Sequence, residues 1–493
     1  MRDELFSVGQ IRAIEAAALA QQPPANLMQR AGAAAAAWAL ELIHEVRPVL
    51  VLAGPGNNGG DALEVAANLR DAGVDVTVLH RAARAPSRET AAALERCQMD
   101  GVTFVDAAPA GVQWALIVDG LFGIGLTRAL DDDLVQLVKR CTGCPVLALD
   151  VPSGLDADTG TVVGGGAAMR ATHTMTFIGD KPGLHTGDGR DYAGIVRVAD
   201  LDIDHALFPA LEATLVTPAS FAGALPLSQR RENSHKGSFG DVAIIGGAEG
   251  MAGAAILAAR SALFSGAGRV FVAALDARLS LDALHPEIMF RSAAGFDLQK
   301  RTLVVGPGMG DSTGARNLLA KAIAGATPLI LDADALNLLA AEPGLQEAVR
   351  TRAPMAVMTP HPLEAARLLG VTAKVVQADR LAAARELAAR CGAVVVLKGS
   401  GTVIAHPDGR VAINTTGNAG LATGGAGDVL SGLTGTLLAQ GWDAWPAALG
   451  AVWIHGAAAD RLVAGGVGPV GLTAGELPEA IRAVLNDLLR DAR

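Results

Sequence analysis

The sequence predicts two doubly wound α/β domains in one chain. Three observations carry this. At 493 residues the chain exceeds what one ordinary core accommodates. Short apolar strands alternate with helix-period segments through both halves, the pattern of a parallel sheet covered on both faces. Each half also places glycine-rich loops where a strand hands over to a helix. Hydrophobic residues make up 51% and charged ones 18%, so a large core is available; with 3% aromatics it must be built from Ala, Val and Leu. The formal net charge of −10, without a basic run, argues against a nucleic-acid surface. No apolar run reaches the roughly 18 residues of a membrane span. The opening MRDELFSVGQ lacks the apolar segment of a signal peptide, and four cysteines in so long a chain suit a reducing cytoplasm. Cys141-Thr-Gly-Cys144 has C-x-x-C spacing, but no second Cys or His pair accompanies it.

Val8, Ile11, Ile14 and Leu19 mark an opening helix that Pro23-Pro24 ends, and a second helix spans about Asn26 to Glu45. Val49 to Ala53 is a buried strand and Asp61 to Asp71 a helix; between them Gly54, Gly56 and Gly59 satisfy G-x-G-x-x-G in strand–turn–helix context. Alone, that fingerprint points to a dinucleotide oxidoreductase. Yet the next strand, Val76 to Leu79, ends in His80-Arg81 instead of the acid that would hold a ribose. Asn57, Asn58 and Asp61 also bring donors and acceptors that a plain pyrophosphate turn does not need, which suits a ligand or ion in the crevice itself. Leu116 to Asp119 leads into GLFGIGLTR, and Val146 to Asp150 into VPSGLDADTG. Ligands of open α/β sheets sit outside the carboxyl ends of the strands, so Asp119, Asp150 and Ser153 converge with Asn58. The alternative is that Asp150 and Ser153 only cap turns before Gly154. Amide, carboxylate and hydroxyl oxygens are hard donors that suit a hard cation, not zinc. Late strands cover Thr172 to Ile178 and Gly194 to Val198, and Lys181 between them reads as an exposed lysine.

GPGNNGGD, VDGLFGIGL and DVPSGLDADTG together resemble the N-terminal domain of the NAD(P)H-hydrate repair proteins. The resemblance implies a Rossmann-like three-layer epimerase domain acting on NADHX and NADPHX. It implies that Asn57, Asn58, Gly59, Gly60 and Asp61, with Gly123, Ile124, Gly125, Leu126, Thr127, Arg128 and Ala129, contact the hydrated nucleotide. Asn58, Asp119 and Ser153 would hold K+, and Asp150 would be the acid–base residue. Ala62 and Ile124 depart from the family pattern. Ala62 is a small change, and Ile124 in place of Thr touches one hydrogen bond to the substrate.

Leu201 to Arg231 lacks long periodicity, carries Pro209, Pro218 and Pro226, and ends in the charged run QRRENSHKG. The boundary is placed near Leu215, giving domains of 1–215 and 216–493. Beyond it, strand Asp241 to Gly246 runs into a glycine turn and a small-residue helix. Further strands are Val270 to Ala273, Leu303 to Val305, Leu329 to Leu331 and Val357 to Thr359. They end at Gly306-Pro-Gly308-Met-Gly310, Asp332-Ala-Asp334 and Thr359-Pro-His361-Pro362. Asp332 and Asp334 are either turn and N-cap residues or part of a site. His361, held extended by its prolines, is either a buried structural histidine or a substrate contact. Val394 to Lys398 is another strand, and Lys398 can neutralise a phosphate as a point charge.

The stretch Asn414 to Gly432, NTTGNAGLATGGAGDVLSG, organises this half. Its glycines let the backbone approach a ligand closely, and Ala426-Gly427-Asp428 runs into a helix that Gly441 is placed to end. A glycine loop opening a helix aims free N–H groups and the positive dipole end at one point, an anion site. Asp428 on the first turn can act there as a base. The bland alternative is a glycine turn that only packs a helix closely. No Walker A string is present. GPGMG, LDADALNLL, TPHPLEAARLLG, VLKGSGTVI and GNAGLATGGAGDVLSG resemble the ribokinase-like dehydratase domain of the same repair proteins. The resemblance implies that ADP lies on Lys398, Gly399, Ser400, Gly401 and Thr402, and on Asn418, Ala419, Gly420, Leu421, Ala422, Thr423, Gly424, Gly425, Ala426 and Gly427. Asp428 would reach the substrate hydroxyl, and Ala254, Gly308, Gly310 and His361 would line the hydrate pocket.

The implied chemistry is epimerisation of (R)- and (S)-NAD(P)HX by the first half and ADP-dependent dehydration of the S form by the second, with Mg2+ accompanying ADP. The choice of ADP over ATP rests on resemblance alone. Two other classes stay open: a vitamin-precursor or sugar kinase in the second half, and a non-catalytic nucleotide- or protein-binding module in the first. Small-residue helix faces favour a homo-oligomer.

Overall fold

The structure is a computed structural model that describes residues 3–21, 26–82 and 85–491. Pro23-Pro24, the expected end of the first helix, lie outside the described residues. The chain divides into two compact units, one ending at Ala213 and the other beginning at Thr214. No helix among the described residues is long and apolar enough to cross a membrane.

The first unit holds a fully parallel sheet in the order Thr103–Val105, Val76–His80, Val49–Ala53, Leu116–Gly120, Val146–Leu149, His173–Phe177, Ile195–Ala199. Every residue of Val49–Ala53 and Leu116–Gly120 is buried, as expected for parallel strands covered on both faces. The strand order reverses between these two, so a crevice opens beyond their carboxyl ends. Helix Asn57–Asp71 starts four residues before the expected Asp61 and absorbs Asn57 to Gly60. Glycine alone permits this. A methyl on Gly59 would lie 1.9 Å from the Gly54 carbonyl oxygen, and one on Gly54 would lie 1.8 Å from that of Leu121. The helix start therefore presses directly on the two strand ends. Gly54→Ala is expected to cost about 1–3 kcal/mol by overpacking. Calorimetry should show a melting transition lowered by about 2–4 °C per kcal/mol for a unit of this size. Helix Leu27–Leu42, which ends short of Glu45, packs on the same helix, where a methyl on Gly32 would lie 2.2 Å from Glu64 Cβ.

The second unit's sheet runs Val411–Asn414, Thr402–Ala405, Val394–Leu397, Val357–Met358, Leu329–Leu331, Thr302–Val305, Asp241–Gly246, Arg269–Ala274, Met289–Ser292. Pairing is parallel from Met289–Ser292 to Val394–Leu397, and the last two strands in the chain are antiparallel. The order reverses between Asp241–Gly246 and Thr302–Val305, placing this unit's crevice beside the loops that follow them. Helix Ala426–Ala439 lies on the sheet, with a methyl on Gly435 only 2.6 Å from Val304 Cγ2. On its other side a methyl on Gly432 would lie 2.0 Å from the Ala258 carbonyl oxygen in helix Ala252–Phe264. The helix stops as expected, with Gly441 in the left-handed region at φ 94°. Val, Leu, Ile and Ala dominate the core around it, as the low aromatic content requires.

Candidate active sites

In the first unit Asp150 is the fixed point. Its φ of 66° is uncommon for a residue with a Cβ and persists only where the surroundings determine it. Its Oδ1 accepts from Lys181 Nζ at 2.7 Å and its Oδ2 from the Ile124 N–H at 3.0 Å. A methyl on Gly123 would lie 2.6 Å from Oδ2, so that loop carries glycine because the carboxylate rests against its backbone. Lys181 is not exposed: its side chain is 0% accessible, and the ammonium also donates to Thr176 Oγ1 at 2.7 Å and the Phe177 carbonyl at 2.8 Å. Three acceptors in one place allow the charge to be buried. Nothing around Lys181 in the sequence reveals this. The available signal is that strand His173–Phe177 ends at the same sheet edge as Asp150. Asp61 and Glu15 complete the acidic group. Burial, then Asp150 and Glu15, hold the Asp61 carboxyl well above the usual carboxylate range. Glu15 is pushed up by burial and then by Asp150.

Asp119 and Ser153 are joined by hydrogen bonds, and Asn58 reaches the end of the neighbouring strand at Leu149. Asn58 Nδ2 donates to the Leu149 carbonyl at 3.2 Å, while its Oδ1 is buried without a hydrogen-bond partner. Asp119, fully buried, accepts from Ser153 N at 2.8 Å, Ser153 Oγ at 2.7 Å and Leu121 N at 3.3 Å. Burial nonetheless pushes its carboxyl up to about 6, and among the described residues no basic side chain pairs with it. An orphaned buried amide oxygen and a buried carboxylate with no basic partner are hard oxygen donors of the kind a hard cation takes. Asn57, Gly125, Thr127, Arg128 and Ala129 form an exposed rim, with Ile124 and Leu126 half-buried and Gly59 and Gly60 buried. Cys141 and Cys144 are free, and burial raises both thiols, Cys141 to about 12.

In the second unit Gly425, at φ 93°, opens helix Ala426–Ala439 and puts Asp428 on its first turn. Burial, then the charge of Asp332, push the Asp428 carboxyl up to about 7, with Asp334 and Glu364 adding and Lys398 opposing. Asp332 holds the N-cap position of helix Ala333–Ala341 but makes no side-chain cap. Instead its Oδ1 accepts from Lys398 Nζ at 2.8 Å and its Oδ2 from Ser431 Oγ at 2.5 Å. Burial disfavours the Lys398 ammonium, but Asp332, Glu364 and Asp428 outweigh it and hold that group above its ordinary range. A methyl on Gly427 would lie 3.1 Å from Lys398 Nζ, so the ammonium stands against the glycine turn.

Asp334 accepts from the Gly310 N–H at 2.8 Å, fixing the loop of Gly306, Gly308 and Gly310. A methyl on Gly308 would lie 2.4 Å from the Met251 carbonyl oxygen and 3.3 Å from Ala254 Cβ, so these positions close on one another at the switch point. His361 is not a buried histidine: its side chain is 46% exposed and caps helix Pro362–Leu369, with Nδ1 accepting from Leu363 N at 3.1 Å. Glu364 returns the bond by accepting from the His361 N–H at 2.8 Å, and burial lifts its carboxyl to about 7.

The loops expected to take a nucleotide are braced from behind. Buried Arg380 donates to the Leu397 carbonyl at 3.1 Å and the Lys398 carbonyl at 3.2 Å. Gly399, at φ 139°, presses on its guanidinium. Thr402 Oγ1 donates to the Gly399 carbonyl at 3.1 Å. Asp460 accepts from Gly417 N at 2.8 Å and Asn418 Nδ2 at 2.9 Å. Asn418 in turn accepts from Gly420 N within the turn Ala419–Leu421. Thr416 Oγ1 donates to the Trp453 carbonyl at 2.9 Å, and His455 hydrogen-bonds the Ala426 backbone while burial lowers its imidazole to about 4. Trp453, Gly456 and Asp460 share one face of helix Ala444–Ala464, at a spacing visible in the sequence. Nothing in the sequence singles these residues out, because the helix has the pattern of plain small-residue packing.

Residues 24–183 match the family described as YjeF-related protein N-terminus, and residues 242–481 match NAD(P)H-hydrate dehydratase. The chain is 39% identical over 481 residues to the bifunctional NAD(P)H-hydrate repair enzyme of Escherichia coli K12, covering 94% of this chain and 90% of that protein. It is 38% identical over 474 residues to the enzyme of that name from Coxiella burnetii, covering 94% and 95%. Among solved structures, an ADP/ATP-dependent NAD(P)H-hydrate dehydratase from Bacillus subtilis, co-crystallised with ATP and Mg2+, shares 31% identity. It covers 56% of this chain and 98% of that one, with a TM-score of 0.48. With matches spanning both sheets and the loops at both crevices, the chain belongs to the family of bifunctional NAD(P)H-hydrate repair enzymes.

Proposed function

We propose that the first crevice interconverts (R)- and (S)-NAD(P)HX and the second dehydrates the S form with ADP as phosphoryl donor. The observation that carries the second assignment is a carboxyl held near 7, Asp428, on the first turn of a glycine-opened helix beside Lys398. Hydroxide is a poor leaving group, and phosphorylation turns the substrate hydroxyl into one that departs as phosphate. Asp428 takes the hydroxyl proton as the terminal phosphoryl of ADP is transferred, leaving AMP. Phosphate and a ring proton then depart, giving NAD(P)H. The amides from Gly424 to Gly427 receive the developing phosphate charge, and removing one such donor typically costs about 10²–10³ in rate. Around Lys398 carboxylates outnumber cations, which fits Mg2+ arriving with the nucleotide. Lys398 to Thr402 and Asn418 to Gly427 hold the nucleotide, and Ala254, Gly308, Gly310 and His361 line the hydrate pocket.

In the first crevice Asp150 is the acid–base residue, and the segments Asn57 to Asp61 and Gly123 to Ala129 hold the hydrate. Asn58, Asp119 and Ser153 would hold K+, which would supply positive charge to the crevice. KCl, against tetramethylammonium chloride at equal ionic strength, is expected to raise the first unit's melting temperature, and equal melting in both salts would remove the cation from this reading. The test of the whole reading is incubation of purified protein with ADP, Mg2+ and a mixture of both epimers. Complete conversion to NADH is expected; unchanged absorbance would refute it, and turnover of ADP without any effect of NADHX would favour a small-molecule kinase.

A further inference from the structure

We infer that Lys181 is a positioning residue for epimerisation, clamping one oxygen of Asp150 so that the other is delivered to the Gly123–Ile124 loop. The inference rests on the proposed role of the first crevice. The geometry is specific. An ammonium has three donors and no acceptor. Here all three are used inside the protein, on Asp150 Oδ1, Thr176 Oγ1 and the Phe177 carbonyl, at 2.7 to 2.8 Å. No donor remains for a substrate, so Lys181 acts through Asp150. Two of the acceptors belong to strand His173–Phe177, which ties the ammonium to the sheet itself. Asp150 Oδ2 is left with the Ile124 N–H, pressed against Gly123 where even a methyl would intrude. The carboxylate's rotation is thereby fixed from both ends. Lys181 also sits in an otherwise acidic group: burial and then Asp150 push up both Glu15 of helix Val8–Leu19 and Asp61 of helix Asn57–Asp71, and Lys181 opposes this at Glu15.

A structural lysine and a positioning lysine differ in a double-mutant cycle. Lys181→Met, Asp150→Asn and the double variant are made in the full chain, and the equilibration of the two epimers is followed by NMR. Lys181→Met alone is expected to lower epimerisation kcat by about 10²-fold, with KM changed by less than about threefold. In the double variant it should add almost nothing to the loss from Asp150→Asn, because residues that act as a unit are not additive. Dehydration of pure S epimer by the same molecules serves as an internal control and stays at the wild-type rate. Costs that simply multiply in the double variant would overturn the inference, as would an unchanged kcat for Lys181→Met. Lys181→Gln, which keeps polar contacts without the charge, replaces Met if the first unit no longer melts cooperatively. Loss of that transition in both variants would make Lys181 a folding residue and equally overturn the inference. A wild-type chain that fails to interconvert the epimers would refute the proposed function, a distinct outcome.

Discussion

Asp428→Asn is expected to lower ADP-dependent dehydration by about 10²–10⁴-fold, the usual contribution of a positioned general base. Affinity for ADP should change less than the rate, because in the proposed site backbone amides and Lys398 would hold the nucleotide, and the substitution alters only the charge beside Lys398. In the wild type, activity should rise with pH through about 7, since the carboxyl must be ionised to accept the hydroxyl proton and burial beside Asp332 holds it there. The same shift has the opposite sign for stability. The folded-state value lies above the unfolded one, so the unfolded chain ionises first. Destabilisation accumulates as pH rises from the ordinary carboxylate range to about 7, and is complete above that. Asp428→Asn removes this penalty, so the inactive variant should melt higher than wild type at pH 8 and equally at low pH. Stopped-assay kinetics and calorimetry on one preparation read both effects. A variant that keeps its activity, or a wild-type rate flat across neutral pH, would remove Asp428 as the base.

Asp150→Asn should abolish interconversion of the epimers by about 10²–10⁴-fold while leaving dehydration of the S form intact. Asparagine has the carboxylate's shape but a single acceptor. Asp150 accepts at both oxygens, from Lys181 and from the Ile124 amide, so the variant must leave one of these donors facing an NH2. A buried donor left unpaired costs about 1–3 kcal/mol, which should lower the first unit's melting transition as well. The progress curve is diagnostic. Given both epimers, wild type runs to completion, whereas Asp150→Asn stops when the S form is spent. Completion by the variant at the wild-type rate would favour a non-catalytic first unit.

Much of this was legible in the sequence because the chemistry sits at strand ends, and strand ends are marked by glycine. Gly54 and Gly425 announce their loops, and Asp150 and Asp428 follow recognisable strings. What escaped is whatever depends on partners distant in the chain. Lys181 looks exposed until strand His173–Phe177 brings its acceptors beside Asp150. Asp332 reads as a helix cap until Lys398 and Ser431, far along the chain, claim both its oxygens. Of the two readings of His361, the buried structural ring is excluded: capping uses one nitrogen and leaves the side chain 46% exposed. The helix starts at Asn57, earlier than expected, because a glycine pair that ordinarily discourages a helix is required here by close packing, Gly59 on Gly54 and Gly60 on Met28 and Thr90.

The bracing of the last glycine turn by Trp453, His455 and Asp460 has a consequence for biogenesis. The strands of the second sheet are all synthesised once Asn414 has emerged from the ribosome, but the fasteners of the turn arrive some forty residues later. Helix Ala444–Ala464 also supplies Ala447, Ala448, Ala451, Val452 and Ile454 to the core that covers the sheet, so sheet and turn are completed together. A chain ending before Trp453 would lack both the fasteners of the turn and much of this core, and is expected not to melt cooperatively in its second unit.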